Sequence, residues 1–532
     1  MNAELLLGDE AVAWGAIDAG IGGAFSYAGT PATEILETIQ IVAPHIWARW
    51  SANEKVAYEE ALGMSYAGKR ALVAMKHVGL NVASDPFMSS ALTGAVGGFV
   101  LVVGDDPGMH SSQNEQDSRV LAEFAKVPVL EPANQQECYD MTRRAFVMSE
   151  QFEIPVMVRL VTRLSHSRSQ VALRPDDERK RSKIRLPLPD PNDWALVPAN
   201  ARRRYRRLLN IQKDLLADSE ASPYNRLTLR GKRGVICSGV AYNYVREVLG
   251  GEPDESILHI GQYPMPVALI REIVDHCDEI LVVEDGYPVV EQHIRGLLGV
   301  PGKDIRGRMD GALPPDGELL PDLVAKALGQ GYELPVPANP IVTARPPQYC
   351  KGCPHSSSMG ALVDATAEFE QALLFSDIGC YALGIMPPYR SVHSAVDMGA
   401  SIGMAHGASR AGAHPVLCTI GDSTFAHSGM TPLLGAVLAD ANITVLILDN
   451  ATTGMTGQQE SMATGEQLME IIRGLGVKDL HLLDPLPKNH AQNVEAIKRA
   501  IAHQGLSVIV ARRPCIQIKP RKNAAKLPQV EV

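Results

Sequence analysis

Two apolar runs in the last third of the chain, VLCTIGDS (416–423) and ITVLILDN (443–450), each close on oxygen-bearing side chains. Short continuous apolar runs of this kind read as strands buried on both faces, the strands of a parallel sheet. The chain between them is long enough for the crossover helix that parallel neighbours require. A third run, LSVIVARRP (506–514), has the same form. In such sheets ligands bind outside the carboxyl ends of the strands, so Asp422 and Asn450 are expected side by side at one rim.

The first 165 residues alternate in the same way. GAFSYAGTP (23–31), ALVAMKHVGLN (71–81), FVLVVGDDPG (99–108) and PVMVRLVTR (155–163) read as strands, with a helix over 52–67. The rim rule then singles out Thr30 with Pro31, Lys76 to Asn81, and the polar stretch 105–117. A further α/β stretch, 232–335, contains GVICSGVAY, ESILHIG and EILVVEDG but little obvious chemistry, and is expected to serve structure and assembly. Between them, 166–231 turns basic (ERKRSKIR, then ARRRYRRLL), clusters prolines at 187–191, and is expected to be a linker with one amphipathic helix near 200–216, a solvated strap. The expected division is therefore 1–165, 166–231, 232–335, 345–515 and a basic tail at 516–532, the α/β class throughout, and 532 residues suit about three domains.

Composition narrows the function. The net charge of −10 argues against nucleic acid as the main partner. No apolar run reaches the roughly 18 residues of a membrane helix, because 91–104 carries four glycines. The N-terminus lacks a basic n-region, so the expectation is a cytoplasmic protein without a signal peptide or membrane span. Eight cysteines are too few for a disulfide scaffold in a chain of this size.

An Asp and an Asn at adjacent strand ends suit Mg²⁺ on a diphosphate, because this hard cation takes oxygen ligands. Gly421 would let a phosphate approach the backbone, and ATTGMTGQQ after Asn450 would curve over it with the Thr452 carbonyl as a third ligand. Ordinary turn chemistry also places Asp, Asn and Gly at strand ends, and the TTGMTGQQ continuation is what argues against it. Cys350 and Cys353 form a C-x2-C pair, Cys380 follows, and Cys515 closes the segment. Four thiolates suit a [4Fe–4S] cluster and equally a zinc ion. Cys138, Cys237, Cys277 and Cys418 are scattered and fit core positions.

These strings together resemble the thiamine diphosphate enzymes. GDS with DNATTGMTGQQ is similar to their diphosphate motif, and WSANEKVAYEEALG places Glu54 where they carry the glutamate that pairs with the aminopyrimidine ring. That pairing lets the ring's amino group remove the cofactor's C2 proton. An acidic residue in a helix's first turn is the ordinary alternative, and Glu59 and Glu60 are its neighbours. LLLGDEAVAWGAIDAG, YAGTPATEI, MKHVGLN, DDPGMHSSQNEQDSR, CKGCPH, SDIGCYALG, DMGASIGMAHG and IGDSTFAHSG extend the resemblance to most of the chain. They resemble the large subunits of the 2-oxoacid:ferredoxin oxidoreductase superfamily, indolepyruvate type.

The resemblance implies a pyrimidine-binding domain (1–165), a transketolase C-terminal-like domain (232–335) and a diphosphate-binding domain (345–515). It implies Glu54 as activator, Mg²⁺ on Asp422, Asn450 and Thr452, and Thr30, Lys76, His77 and Asn81 around the reacting carbon. Gly379, Cys380, Gly399, Ser401, Gly421, Ser423, Met455 and Thr456 would touch the cofactor. A [4Fe–4S] cluster on Cys350, Cys353, Cys380 and Cys515, coenzyme A as co-substrate and a ferredoxin-type acceptor complete the set. A partner of roughly 200 residues would complete the coenzyme A side in a heterotetramer built on a homodimer.

One departure stands out: after Cys515 the chain has no C-x2-C-x2-C-x3-C-P run of a ferredoxin-like domain, so the acceptor is left open. A non-oxidative decarboxylase or carboligase, with zinc or nothing on the cysteines, is the rival enzyme. A non-catalytic assembly subunit would predict degenerate site residues, yet Glu54, Asp422 and Asn450 are all present.

Overall fold

The structure, a computed structural model, describes residues 3–173, 194–332 and 347–518. The chain divides into two compact units, Met1–Asn339 and Pro340–Val532. The segments 178–185 and 187–191 of the expected linker, and the tail from 519 on, lie outside the described residues.

In the first unit a seven-stranded sheet runs in the order Gln262–Tyr263, Val129–Leu130, Val156–Val161, Phe99–Asp105, Ala71–Lys76, Gly23–Ser26, Trp47–Trp50. Every residue of Ala71–Lys76, Phe99–Asp105 and Val156–Val161 is buried, which is why these stretches lack alternation in sequence. All neighbours pair in parallel except the edge strand Gln262–Tyr263, which is antiparallel to Val129–Leu130. That edge strand comes from the 232–335 stretch, whose own five-stranded sheet runs Asp304–Arg306, Glu279–Val283, Arg233–Ser238, Ser256–Ile260, Arg226–Thr228.

The stretch expected to be a linker is built into this unit. Arg168–Ala172 pairs antiparallel with Ala3–Leu7, and Arg226–Thr228 pairs antiparallel with Ser256–Ile260. The basic helix is longer than expected, Pro198–Glu220, and opens on a proline at its first turn. It buries Leu208 and Leu215, while Arg202, Arg203 and Arg206 are exposed as expected and Arg204 and Arg207 are half-buried. Arg204 donates to the carbonyls of Leu92 and Thr93, and Arg207 to that of Phe152. Those carbonyls end the helices Ser84–Thr93 and Gln135–Phe152. Cations at helix C-termini satisfy carbonyls that have no partner within the helix.

The second unit carries one six-stranded, wholly parallel sheet in the order Ser394–Ala395, Leu373–Ser376, Val416–Gly421, Thr444–Asp449, Ser507–Arg512, Asp479–Leu483. The three strands expected from sequence are its centre. Gly421 pairs with Leu448, so Asp422 and Asp449 leave the sheet at the same level. Among the described residues no helix is long and apolar enough to cross a membrane.

Candidate functional site

In the second unit the two strand ends are tied by side chains. The Thr453 hydroxyl donates to Ser423 Oγ at 2.9 Å. Asp422 is buried, and its Oδ2 has no hydrogen-bond partner. Burial and the neighbouring Asp449 carboxylate push Asp422 up to about 7. Asp449 itself is fully engaged, by Thr464, by the Gly465 amide and by Arg512. Asn450 Oδ1 accepts a long bond from the Thr452 amide, 3.3 Å. The loop beyond it is a small two-stranded ladder, Thr452–Thr453 against Gln459–Glu460, with Ala451 in the left-handed region at φ 62°. Within it Thr456 donates to Gln459 at 2.6 Å, while Met455 stands exposed. A buried carboxylate oxygen without a donor, beside an amide and a loop backbone, fits a hard cation.

Gly421, expected to admit a phosphate, and Gly379, expected to touch the cofactor, both face Tyr381. A Cβ on Gly421 would lie 2.8 Å from the Tyr381 ring, and one on Gly379 would lie 2.4 Å from it. Tyr381 is thus packed against both, its hydroxyl placed by Ile378 O and Thr424. The Gly399 and Ser401 amides, with the Ser401 hydroxyl, all donate to Asp377. Asp377, fully buried and pushed up to about 6 by burial, was not singled out from sequence. It staples the end of Leu373–Ser376 to the start of the helix Ala400–Arg410. His427, buried within a π-helical turn at Phe425–Gly429 and bonded to Ser428, was missed as well. A π-turn is a recurrent mark of functional segments that sequence periodicity does not reveal.

The four singled-out cysteines are brought together. Cys380 has Cys353, Cys515 and Cys350 as electrostatic neighbours, and burial pushes its thiol up to about 11. Cys353 stands at the N-cap position of the helix Pro354–Thr366, and burial pushes its thiol up. The cysteines also touch the cation loop. The Cys515 amide donates to Asn450 O at 3.0 Å, and a Cβ on Gly454 would lie 3.6 Å from Cys380 Sγ. Cys138, Cys237 and Cys418 are buried core thiols, and Cys277 is buried beside Gly234.

In the first unit Glu54 opens the helix Glu54–Tyr66, after Asn53 accepts the Val56 amide. Its side chain is buried over Gly79, where an added Cβ would lie 2.7 Å from Glu54 Oε1. Glu59 is exposed and paired with Lys55, and Glu60 accepts from Ser51. Lys76, buried at a strand end, donates to Ser111 O at 2.8 Å, and burial lowers it to about 8 against the opposing pull of Asp106. His77 contacts Asn114 O at 3.2 Å and Asn81, exposed, donates to Gln116. Ser111 also reaches Thr30 O. The polar stretch 105–117 therefore lies along Thr30, Lys76, His77 and Asn81.

Both ends of that stretch are fixed by buried charges invisible in sequence. Arg159 binds Asp105 at 2.7 Å, Asp117 at 3.3 Å and Glu131. Arg119 binds Asp117 at 2.6 Å and Glu284 at 3.0 Å. Gly286, at φ 95°, passes so close that a Cβ would lie 2.5 Å from Asp117 Oδ2.

Comparison with known proteins gives two family matches. Residues 14–220 match the model described as pyruvate flavodoxin/ferredoxin oxidoreductase, thiamine diphosphate-binding. Residues 377–511 match the thiamine pyrophosphate enzyme C-terminal TPP-binding domain. The indolepyruvate oxidoreductase subunit IorA of Archaeoglobus fulgidus is 39% identical over 96% of this chain and 86% of its own length. The subunit of the same name from Thermococcus kodakarensis is 37% identical over 97% of this chain and 86% of its own. A solved 2-oxoglutarate:ferredoxin oxidoreductase from Magnetococcus marinus superposes with a TM-score of 0.52 at 18% identity. It covers 62% of this chain and 65% of its own, a likeness of fold.

Proposed function

Because the chain belongs to the indolepyruvate oxidoreductase IorA family of 2-oxoacid:ferredoxin oxidoreductases, we propose that it catalyses the oxidative decarboxylation of indolepyruvate or a related arylpyruvate. It is a thiamine-diphosphate-dependent enzyme. The balanced reaction is a 2-oxo acid anion plus coenzyme A thiol giving acyl-CoA, carbon dioxide, one proton and two electrons. Thiamine diphosphate, when bound, supplies the carbon nucleophile and the electron sink.

The chain's residues take defined parts in this reading. Asp422, Asn450 and the Thr452 carbonyl hold Mg²⁺ on the diphosphate, a role supported by the orphaned Asp422 oxygen. The contacts of Gly379, Gly399, Ser401, Gly421, Ser423, Met455 and Thr456 are shape and placement more than ligation, since the Gly399 and Ser401 donors are spent on Asp377. Glu54, buried in a helix's first turn, is the carboxylate that pairs with the aminopyrimidine ring. Lys76 is the cation that receives the substrate carboxylate, with Thr30, His77 and Asn81 beside it.

One observation carries the oxidative reading over a simple decarboxylase: the cysteine set touches the cation loop, through Cys515 to Asn450 and Cys380 to Gly454. Electrons released at the cofactor would have a short path to a cluster there. A [4Fe–4S] cluster on Cys350, Cys353, Cys380 and Cys515 is the assignment we adopt. It is supported by the four thiols lying near one another beside the cation loop, the number and kind of ligand that a cubane takes. Iron and acid-labile sulfide near four per chain in anaerobically prepared protein, with loss in Cys353→Ser, is the expected result. Full activity without iron would refute the cluster. The domain assignment, the cytoplasmic setting, the smaller partner and the ferredoxin-type acceptor belong to the same proposal.

A further inference from the structure

A second group of ligating side chains lies in the first unit, outside the site described above. Asp9, Glu34 and His166 each present one donor atom, all within 4.8 Å of one another. They come from three segments: the first turns of the helices Gly8–Asp18 and Thr33–Val42, and the last residue of Thr162–His166. Asp9 is completely buried, and neither of its carboxylate oxygens has a hydrogen-bond partner. The Ser165 hydroxyl, also fully buried, lies beside it. A buried carboxylate left bare on both oxygens is costly, and a proton would satisfy only one of them. Glu34 and His166, 3.6 Å apart, are about one-third exposed, so the cluster has one buried wall and one side open to water.

We propose that Asp9, Glu34 and His166 bind one zinc ion, with water in the remaining position. Two carboxylates and an imidazole are a borderline donor set that suits Zn²⁺ better than the all-oxygen cages of Mg²⁺ or Ca²⁺. The ion draws together the segment that follows Thr30 and Pro31, the end of the strand Val156–Val161, and the N-terminal helix. Thr162, in the same short helix as His166, bonds Asp106 at 2.7 Å, so the ion braces one flank of the 105–117 stretch. Its part is structural.

The test uses the full chain with thiamine diphosphate and excess Mg²⁺, freed of trace metal by chelator and then equilibrated with Zn²⁺. Zinc is counted per chain by mass spectrometry in the wild type, His166→Ala, Glu34→Gln, Asp9→Asn and Cys353→Ser. His166→Ala and Glu34→Gln change groups about one-third exposed and leave the metal-free melting temperature unchanged. They each bind one zinc fewer than the wild type and lose the rise in melting temperature that Zn²⁺ produces. Cys353→Ser keeps this increment, which separates it from the cysteine site. Asp9→Asn, close to a neutral copy of a protonated Asp9, also loses the ion. Equal zinc counts in wild type and His166→Ala, with equal melting shifts, would overturn the proposal.

Discussion

Glu54, Glu59 and Glu60 share one helix but three environments, and burial alone distinguishes the first. Glu54→Gln keeps a neutral group of the same shape. Cofactor binding should persist while turnover falls by about 10²–10⁴-fold, the usual weight of a positioned acid–base group. Glu59→Gln should be neutral, as steady-state rates and cofactor titration will show. Lys76 gives a pH dependence. Its pKa is lowered to about 8 by burial, so the amine is charged below that pH and neutral above it. As the carboxylate's partner it should make kcat/KM fall as pH rises through about 8, and Lys76→Arg should remove that limb. At this scale Asp422, Asn450, Lys76 and Glu54 were legible because each ends an apolar run or opens a helix. Asp377 was not: its strand has only four residues, two of them half-buried, and its donors lie 22 to 24 residues on. Arg159 was hidden inside PVMVRLVTR, where nothing local says that a charge is buried and paired.

Elements carry the next set of consequences. The ends of Val416–Gly421 and Thr444–Asp449 are joined through Ser423 and Thr453. Asp422→Ala removes the orphaned acceptor between them, and Mg²⁺-dependent cofactor binding should be abolished in calorimetry while the fold is kept. Arg159 holds both ends of the 105–117 stretch through Asp105 and Asp117. Arg159→Met strands buried carboxylates, and the chain should lose about 3–5 kcal/mol in denaturant unfolding, with KM for the 2-oxo acid raised. The central strands of both sheets were visible because they are apolar runs broken by at most one or two polar residues. Arg168–Ala172 was not, since it is exposed at four of five positions and its pairing with Ala3–Leu7 is nonlocal. The basic helix was half legible: Arg202, Arg203 and Arg206 form the solvated face, but Arg204 and Arg207 are spent on helix-end carbonyls.

On the scale of the molecule, the 232–335 stretch is more than an assembly surface for its neighbour. It lends Gln262–Tyr263 to the first sheet and Glu284 to the buried charges around Arg119. Such couplings span more than a hundred residues of sequence, which is why composition could mark the stretches but not their union. The homodimer expected from the resemblance should appear in light scattering as a mass near twice 57.4 kDa, and a mass near 57.4 kDa would contradict it. The central claim is that cofactor chemistry in this chain delivers electrons to the cysteine site. The most direct measurement mixes the anaerobic, cofactor-loaded enzyme and its partner with indolepyruvate, coenzyme A and oxidised ferredoxin, and counts products. Two electrons in reduced ferredoxin for each acyl-CoA and each carbon dioxide, lost in Cys353→Ser, is the predicted result; carbon dioxide with free aldehyde and no reduced ferredoxin would contradict it.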